Sequence, residues 1–327
     1  MSTKKMSFGQ ATLEAMQFAM DEDPSIVVIG EDISWGGNFG QFRGLIDKYG
    51  PTRVVDMPIS ESLIVAMAVG ASVSGLKVVA SMSFVEFTLG AMDEIVNQAA
   101  KFRYMFGGQV SVPIVLRASD GIRGSSGAQH SSSLEGMFCN VPGLKIVAPS
   151  NGNDAKGLLR AAIADPDPVL YFEHKKITGQ RAPVLDGDFE VPLGSAAVVR
   201  EGTDLTVVSY SNMLNHAVSA AQIVSEEDGS SIEVIDLRSL VPLDMETVIR
   251  SATKTHKVLV AHESWSMGGF GAEVMAQLYE ALPDVRDLRV FRLGAKTAPI
   301  PFSPQLEPAI VPGVVDLVKE IRQILGR

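Results

Sequence analysis

The sequence predicts an α/β protein of two domains, each built on a parallel sheet. Three observations lead there. The 327 residues exceed the roughly 150 of one typical domain. Short β-branched runs alternate with apolar, helix-spaced stretches along nearly the whole chain. That alternation fails once, between His174 and Pro192, where Gly, Pro, Asp and Lys dominate as in an interdomain crossover. The first domain, with the start of the linker, is expected over 1–185 and the second over 186–327.

Each element has a local reason. Ser7-x-x-Gln10 is a capping box, and Phe8, Ala11, Ala15 and Phe18 recur at helical spacing until Pro24. Ile26 to Ile29 reads as a buried strand closed by Gly30, with Glu31 and Asp32 at its carboxyl end. Helices are then expected over Ser62–Val73, Met92–Tyr104 and Asp154–Ala164, and strands over Lys77–Ala80, Val112–Leu116, Lys145–Ala148 and Val169–Phe172. The second series has strands Leu205–Val208, Glu233–Leu237, Val258–Ala261 and Val290–Leu293. Its helices lie near Leu214–Ser225, Met245–Ala252, Gly271–Ala281 and Val314–Leu325. Open α/β sheets bind ligands beyond the carboxyl ends of their strands, so the loops to inspect begin at Gly30, Ser81, Arg117 and His262.

Composition narrows the function. With 46% apolar and 20% charged residues the chain can bury full cores. A net charge of −10 without a dense Lys/Arg patch argues against nucleic acid or anionic membrane as partner. The single cysteine, Cys139, excludes an internal disulfide and multi-thiolate metal sites, which points to a reducing compartment. With neither a signal-peptide pattern nor a membrane span, a cytoplasmic protein is expected.

Familiar nucleotide signatures do not fit. Gly268, Gly269 and Gly271 have Gly-Gly-x-Gly spacing, which suits a tight strand-to-helix turn better than a dinucleotide fingerprint, and no P-loop occurs. No Gly-x-Ser-x-Gly elbow supports a hydrolase, and the five histidines lack metal-ligand spacing. Taken alone, Glu61 is a helix first-turn carboxylate, His130 a loop histidine and Phe87 a core aromatic. Asp165-Pro166-Asp167-Pro168 is by itself a rigid turn, or carbonyls and carboxylates that hold a hard cation.

Together these segments resemble one family. Asp56-Met57-Pro58-Ile59-Ser60-Glu61, Phe84-x-x-Phe87, Met92 to Lys101, and Gly127-Ala128-Gln129-His130-Ser131 are similar, in order and spacing, to the beta subunits of thiamine-diphosphate-dependent 2-oxo acid dehydrogenases. Pro142 to Ser150, Asp236 to Asp244 and Pro301 to Pro304 extend the likeness nearly to the C-terminus. The resemblance implies an N-terminal domain that holds the cofactor's pyrimidine and a transketolase-C-like second domain. It implies an α2β2 heterotetramer whose alpha subunit binds Mg²⁺ and the diphosphate through a Gly-Asp-Gly motif ending in Asn. Here only Gly187-Asp188-Phe189 approaches that motif. A lipoyl acyltransferase core is a further implied partner.

Residue by residue, the resemblance makes Glu61 the partner of the pyrimidine ring nitrogen, a contact that lets the cofactor's own amino group remove the thiazolium proton. A carboxyl that shares its proton serves that task best. Phe87 becomes the aromatic beside the pyrimidine, Glu31 a further cofactor contact, and His130 the histidine that moves protons near the reacting carbon. Ile114, Ala162, Ile163, Asp165 and Asp167 fall where relatives hold a structural K⁺, mostly through carbonyls; Asp167 stands where Asn is frequent. The implied reaction is decarboxylation of a 2-oxo acid such as pyruvate, or cleavage of acetoin, with acyl transfer to lipoamide. The alternatives are an acyloin-forming carboligase using the same half-site and a non-catalytic assembly subunit.

Overall fold

The computed structural model describes residues 2–327. By mutual contacts the chain forms two compact units, Met1–Asp120 with Phe138–Leu193, and Gly121–Met137 with Gly194–Arg327. The sequence expectation drew one boundary, at 185/186; the contacts draw theirs at Leu193/Gly194 and also assign the segment carrying His130 to the second unit.

The first unit runs β1 (Thr3–Ser7), α1 (Phe8–Glu22), β2 (Ile26–Gly30), α2 (Leu45–Tyr49), β3 (Val54–Asp56), α3 (Glu61–Val73), β4 (Lys77–Phe84), α4 (Phe102–Met105) and β5 (Ile114–Asp120). A short α5 (Glu135–Phe138) straddles the boundary, and β6 (Lys145–Val147), α6 (Gly152–Ala164), β7 (Val169–His174) and β8 (Arg181–Leu185) complete it. Its parallel strands lie in the order β6-β7-β5-β4-β2-β3. Such strands, covered on both faces, read as continuous apolar runs: every residue of β2 and β5 is buried. The Ser7–Gln10 capping box is formed as expected, and α1 packs on α6. Met16, Met20, Leu158, Leu159 and Tyr171 fill the core between these helices and the sheet.

Two expectations change. The helix expected over Met92–Tyr104 is instead a π-helical turn over Glu94–Ala99 followed by α4, and a 3₁₀ turn over Val85–Ala91 precedes it. Periodicity marks the apolar face but does not distinguish hydrogen-bond registers. The crossover at 174–192 contains β8, which pairs antiparallel with β1, a strand of Thr, Lys and Met that carries no alternating signal.

The second unit holds β9 (Ala197–Arg200), β10 (Leu205–Ser209), α7 (Ser211–Asp228), β11 (Ile232–Asp236), β12 (Ser239–Val241), α8 (Met245–Thr255), β13 (Lys257–Trp265), α9 (Gly271–Ala281), β14 (Arg289–Ala295), α10 (Glu307–Ile310) and α11 (Val314–Leu325). Its sheet order is β14-β13-β10-β11-β9, parallel except for the β9 edge. Leu214, Ala217, Ala221 and Val224 of α7 pack with Leu317, Ile321 and Ile324 of α11 in its core.

One ion pair is buried in the first unit. The Arg117 guanidinium on β5 donates to both oxygens of Glu173 on β7, at 3.0 and 2.7 Å, and to the Thr12 hydroxyl at 3.0 Å, while stacking 4.9 Å from the Phe42 ring. Removing one partner strands a buried charge. Glu173→Ala should therefore cost about 3 to 5 kcal/mol in urea unfolding, and the double variant Arg117→Met/Glu173→Leu should recover most of it. A single-variant loss below about 1 kcal/mol would contradict this reading.

Candidate active site

The carboxyl edge of the first unit's sheet gathers the expected groups. β2 ends at Gly30, where a side chain would meet Ser81 Cβ at 2.8 Å, so glycine lets the end of β4 approach closely. Glu31 follows immediately. Its carboxyl is pushed above the ordinary range by burial first, then by the charge of Glu61 and that of Asp32. Glu61 is the first residue of α3, entered through extended Ser60, where the helix dipole favours a carboxylate. Asp56, at the end of β3, accepts from the main chain and hydroxyl of Ser34 and so ties down the loop after Glu31.

The 3₁₀ turn that carries Phe87 packs on α3. Phe87 is half-buried, its ring edge-on to Phe84 at 5.4 Å, and Phe84 is in turn edge-on to Phe39 at 5.8 Å. Gly90 ends the turn against Glu61: a side-chain carbon there would sit 3.8 Å from Glu61 Oε2. Ile59 is 83% exposed and Leu89 44%, which leaves apolar surface beside the carboxylates. Two neighbouring carboxyl groups flanked by an aromatic ring and apolar side chains fit a flat, nitrogen-bearing heterocycle with ring-nitrogen and amino groups.

His130 lies in the second unit, half-buried in a Gly- and Ser-rich turn. Asp165 and Asp167 follow α6. Lys145 Nζ donates to both oxygens of Asp165 at 2.7 and 2.6 Å and lies 3.6 Å from Asp167, which also pairs with Arg103 at 2.7 Å. These carboxylates are committed to protein cations. Among the described residues no group of three or more His, Cys, Asp or Glu side chains is arranged to hold a metal.

The comparisons with known proteins follow the same division. Residues 4–180 match the transketolase pyrimidine-binding domain, and residues 194–317 the transketolase C-terminal domain. The pyruvate dehydrogenase E1 component subunit beta-2 of Oryza sativa subsp. japonica is 40% identical over 100% of this chain and 88% of its own. The chain belongs to the transketolase-like beta subunits of 2-oxo acid dehydrogenases.

Other members agree. The acetoin:2,6-dichlorophenolindophenol oxidoreductase subunit beta of Bacillus subtilis is 39% identical over 98% of this chain and 97% of its own. A solved split-gene transketolase, described as an inactive beta4 tetramer, superposes with a TM-score of 0.77 at 25% identity, covering 98% of this chain and 96% of that one. The beta-subunit family is thiamine-diphosphate dependent, and a beta subunit implies an alpha partner. No helix among the described residues is long and apolar enough to cross a membrane.

Sequence reasoning missed one cluster in the second unit. His262, Glu263 and Ser264 are all buried near the end of β13, with Tyr210 and Glu135 beside them. Three consecutive polar residues in an otherwise apolar strand were the available signal. Side chains at Gly269, Gly271 and Gly294 would come within 2.6 to 2.8 Å of the His262 ring, so these glycines form its cradle. Burial pushes His262 down to about 4; the Ser264 carbonyl partly opposes this and the Arg292 cation reinforces it.

A lowered histidine pKa gives stability that is complete above the unfolded value of 6.5 and is lost as pH falls through about 4. Urea unfolding of wild type should lose about 3 kcal/mol from this group between those limits. His262→Gln, whatever its stability at neutral pH, should lack that share of the slope. Parallel pH profiles for the two proteins would show that His262 does not titrate with folding.

Proposed function

We propose that this chain supplies the pyrimidine-binding half of a thiamine diphosphate site completed by an alpha subunit in an α2β2 heterotetramer. The assembly acts as the decarboxylating, acyl-transferring component of a 2-oxo acid or acetoin dehydrogenase. The carrying observation is the juxtaposition of Glu31 and Glu61 at the carboxyl edge of the first unit's sheet, where burial and then the charge of Glu61 push the Glu31 carboxyl above its ordinary range. Bound there, thiamine diphosphate supplies an acidic thiazolium carbon that, once deprotonated, adds to a carbonyl.

The residues of this chain then have separate tasks. Glu61 holds a proton on the pyrimidine ring nitrogen, and Glu31 keeps that proton from being lost to solvent by sharing the site's negative charge. Phe87 stacks against the ring and, with Ile59 and Leu89, excludes water. His130 moves protons at the reacting carbon and at the lipoyl sulfur. Mg²⁺ and the diphosphate fall to the alpha subunit. A K⁺ would be held by main-chain oxygens of Ile114, Ala162, Ile163, Asp165 and Asp167, the carboxylates already being taken by Lys145 and Arg103.

The surface of α3 supports the partner. Leu63, Ala66, Met67, Gly70 and Val73 form one exposed face, opposite buried Ile64, Val65, Ala68 and Val69. A helix apolar on every side is one that is covered in its assembly. Because Glu61 opens that helix, the same cover closes the cofactor site. The lipoyl acyltransferase core and a cytoplasmic setting complete the proposal, supported by the kinship with both pyruvate and acetoin enzymes and by the lone Cys139.

Glu61→Gln keeps shape and hydrogen bonding but removes the acidic proton. In the reconstituted enzyme, thiazolium proton exchange followed by NMR should slow by about 10² to 10⁴, with subunit association unchanged. Exchange within about threefold of wild type would leave Glu61 a helix-capping carboxylate and sink the proposal.

A further inference from the structure

The segment Gly121–Met137 has almost no regular structure to fix His130. It is rich in Gly and Ser, and Gly121, Gly124, Ser125 and Gly127 all adopt positive φ. Its internal main-chain bonds include Gly121 N–H to Ser132 O at 2.8 Å, Met137 N–H to Leu134 O at 3.0 Å and a long His130 N–H to Gly127 O contact of 3.4 Å. Yet both ends of the segment meet a buried carboxylate. At the first end, Glu263 accepts the Ile122 N–H at 2.5 Å. At the second, Glu135 accepts the Tyr210 hydroxyl at 2.5 Å.

The two anchors lie on adjacent strands, Glu263 near the end of β13 and Tyr210 just after β10, where its ring stacks on His262. Glu263 and Ser264 are consecutive near the end of β13, a central strand of the second unit's sheet, and Trp265 after them packs with Ile122, Ala295, Ile300 and Val311. The Ser264 hydroxyl also meets His262 Nδ1 at 3.0 Å. Glu263 and Glu135 are 7% and 2% exposed, so neither hydrogen bond competes with water. A carboxylate is the strongest acceptor available for a loop N–H that has no ladder partner.

We propose that Glu263 and Glu135, through Ile122 and Tyr210, are the positioning residues that clamp the His130-bearing segment to the ends of the adjacent strands β13 and β10. This rests on the role given to His130 above; the clamp itself is independent of that role. A displacement of about 1 Å at a reacting group costs on the order of 10²-fold in rate, so a clamp remote from the chemistry governs it. Neither carboxylate needs to touch substrate.

The test uses the full chain, alone and reconstituted with its alpha subunit. In Glu263→Ala, amide hydrogen exchange at Ile122 should accelerate by about tenfold or more and the His130 imidazole NMR signal should shift. Acyl transfer to a lipoyl domain should fall by about tenfold or more in kcat, with KM for the 2-oxo acid nearly unchanged. Glu263→Gln keeps an acceptor oxygen for Ile122 and should restore both readings. Should Glu263→Ala fail to fold, Tyr210→Phe, which removes only the hydroxyl, carries the same His130 and kcat readings from the other anchor. Unchanged Ile122 exchange and an unmoved His130 signal in a folded Glu263→Ala would overturn the clamp, as would a loss that Glu263→Gln does not restore. His130→Ala separates the two claims: wild-type acyl transfer in that variant removes the role of His130, while Ile122 exchange still decides the clamp.

Discussion

Two carboxylates placed side by side at the edge of a parallel sheet are the constraint around which the first unit is organised. Glu31 follows the end of β2 and Glu61 opens a helix, and burial together with the nearby Glu61 charge raises the cost of ionising Glu31. Several other features follow from keeping them there. Gly30 admits the neighbouring strand, Asp56 fixes the loop after Glu31, and the turn with Phe87 and Gly90 packs on α3. The Arg117–Glu173 pair lies on β5 and β7 of the same sheet and ties it to α1 through Thr12. An acid pair of this kind is unfavourable to fold, and its retention is intelligible when a bound heterocycle takes up the shared proton.

The second unit solves a different problem, that of giving a glycine-rich loop one conformation. Its sheet is covered by ordinary apolar helices, and its polar investment is concentrated at one strand end, His262 to Ser264, with Tyr210 and Glu135 against it. Neutral His262 in its glycine cradle shows the cost accepted there. The Gly268-Gly269-x-Gly271 run, which invites a nucleotide-binding reading, makes room for that imidazole and for the turn into α9.

Much of this was legible in the sequence. Helices α9 and α11 begin and end where periodicity places them, and the capping box fixes the start of α1. The roles proposed for Glu61, Phe87 and His130 rest on motif order, because each alone has a bland structural reading. Other features left no local signal. A π-helical turn shares its apolar face with an α-helix, β1 pairs through main-chain groups alone, and the attachment of 121–137 to the second unit depends on contacts far apart in sequence. Glu31 was placed at the strand end by pattern, but its elevated pKa comes first from burial in the fold and then from a neighbour 30 positions away.

The central claim is that this chain owns half of a cofactor site. Calorimetric titration of the purified full-length chain with thiamine diphosphate and Mg²⁺, in the absence and presence of its alpha subunit, tests it most directly. The account predicts weak or no binding and no 2-oxo acid turnover by the chain alone, with tight binding and turnover restored by the alpha subunit. Tight binding accompanied by turnover in the lone chain would contradict it.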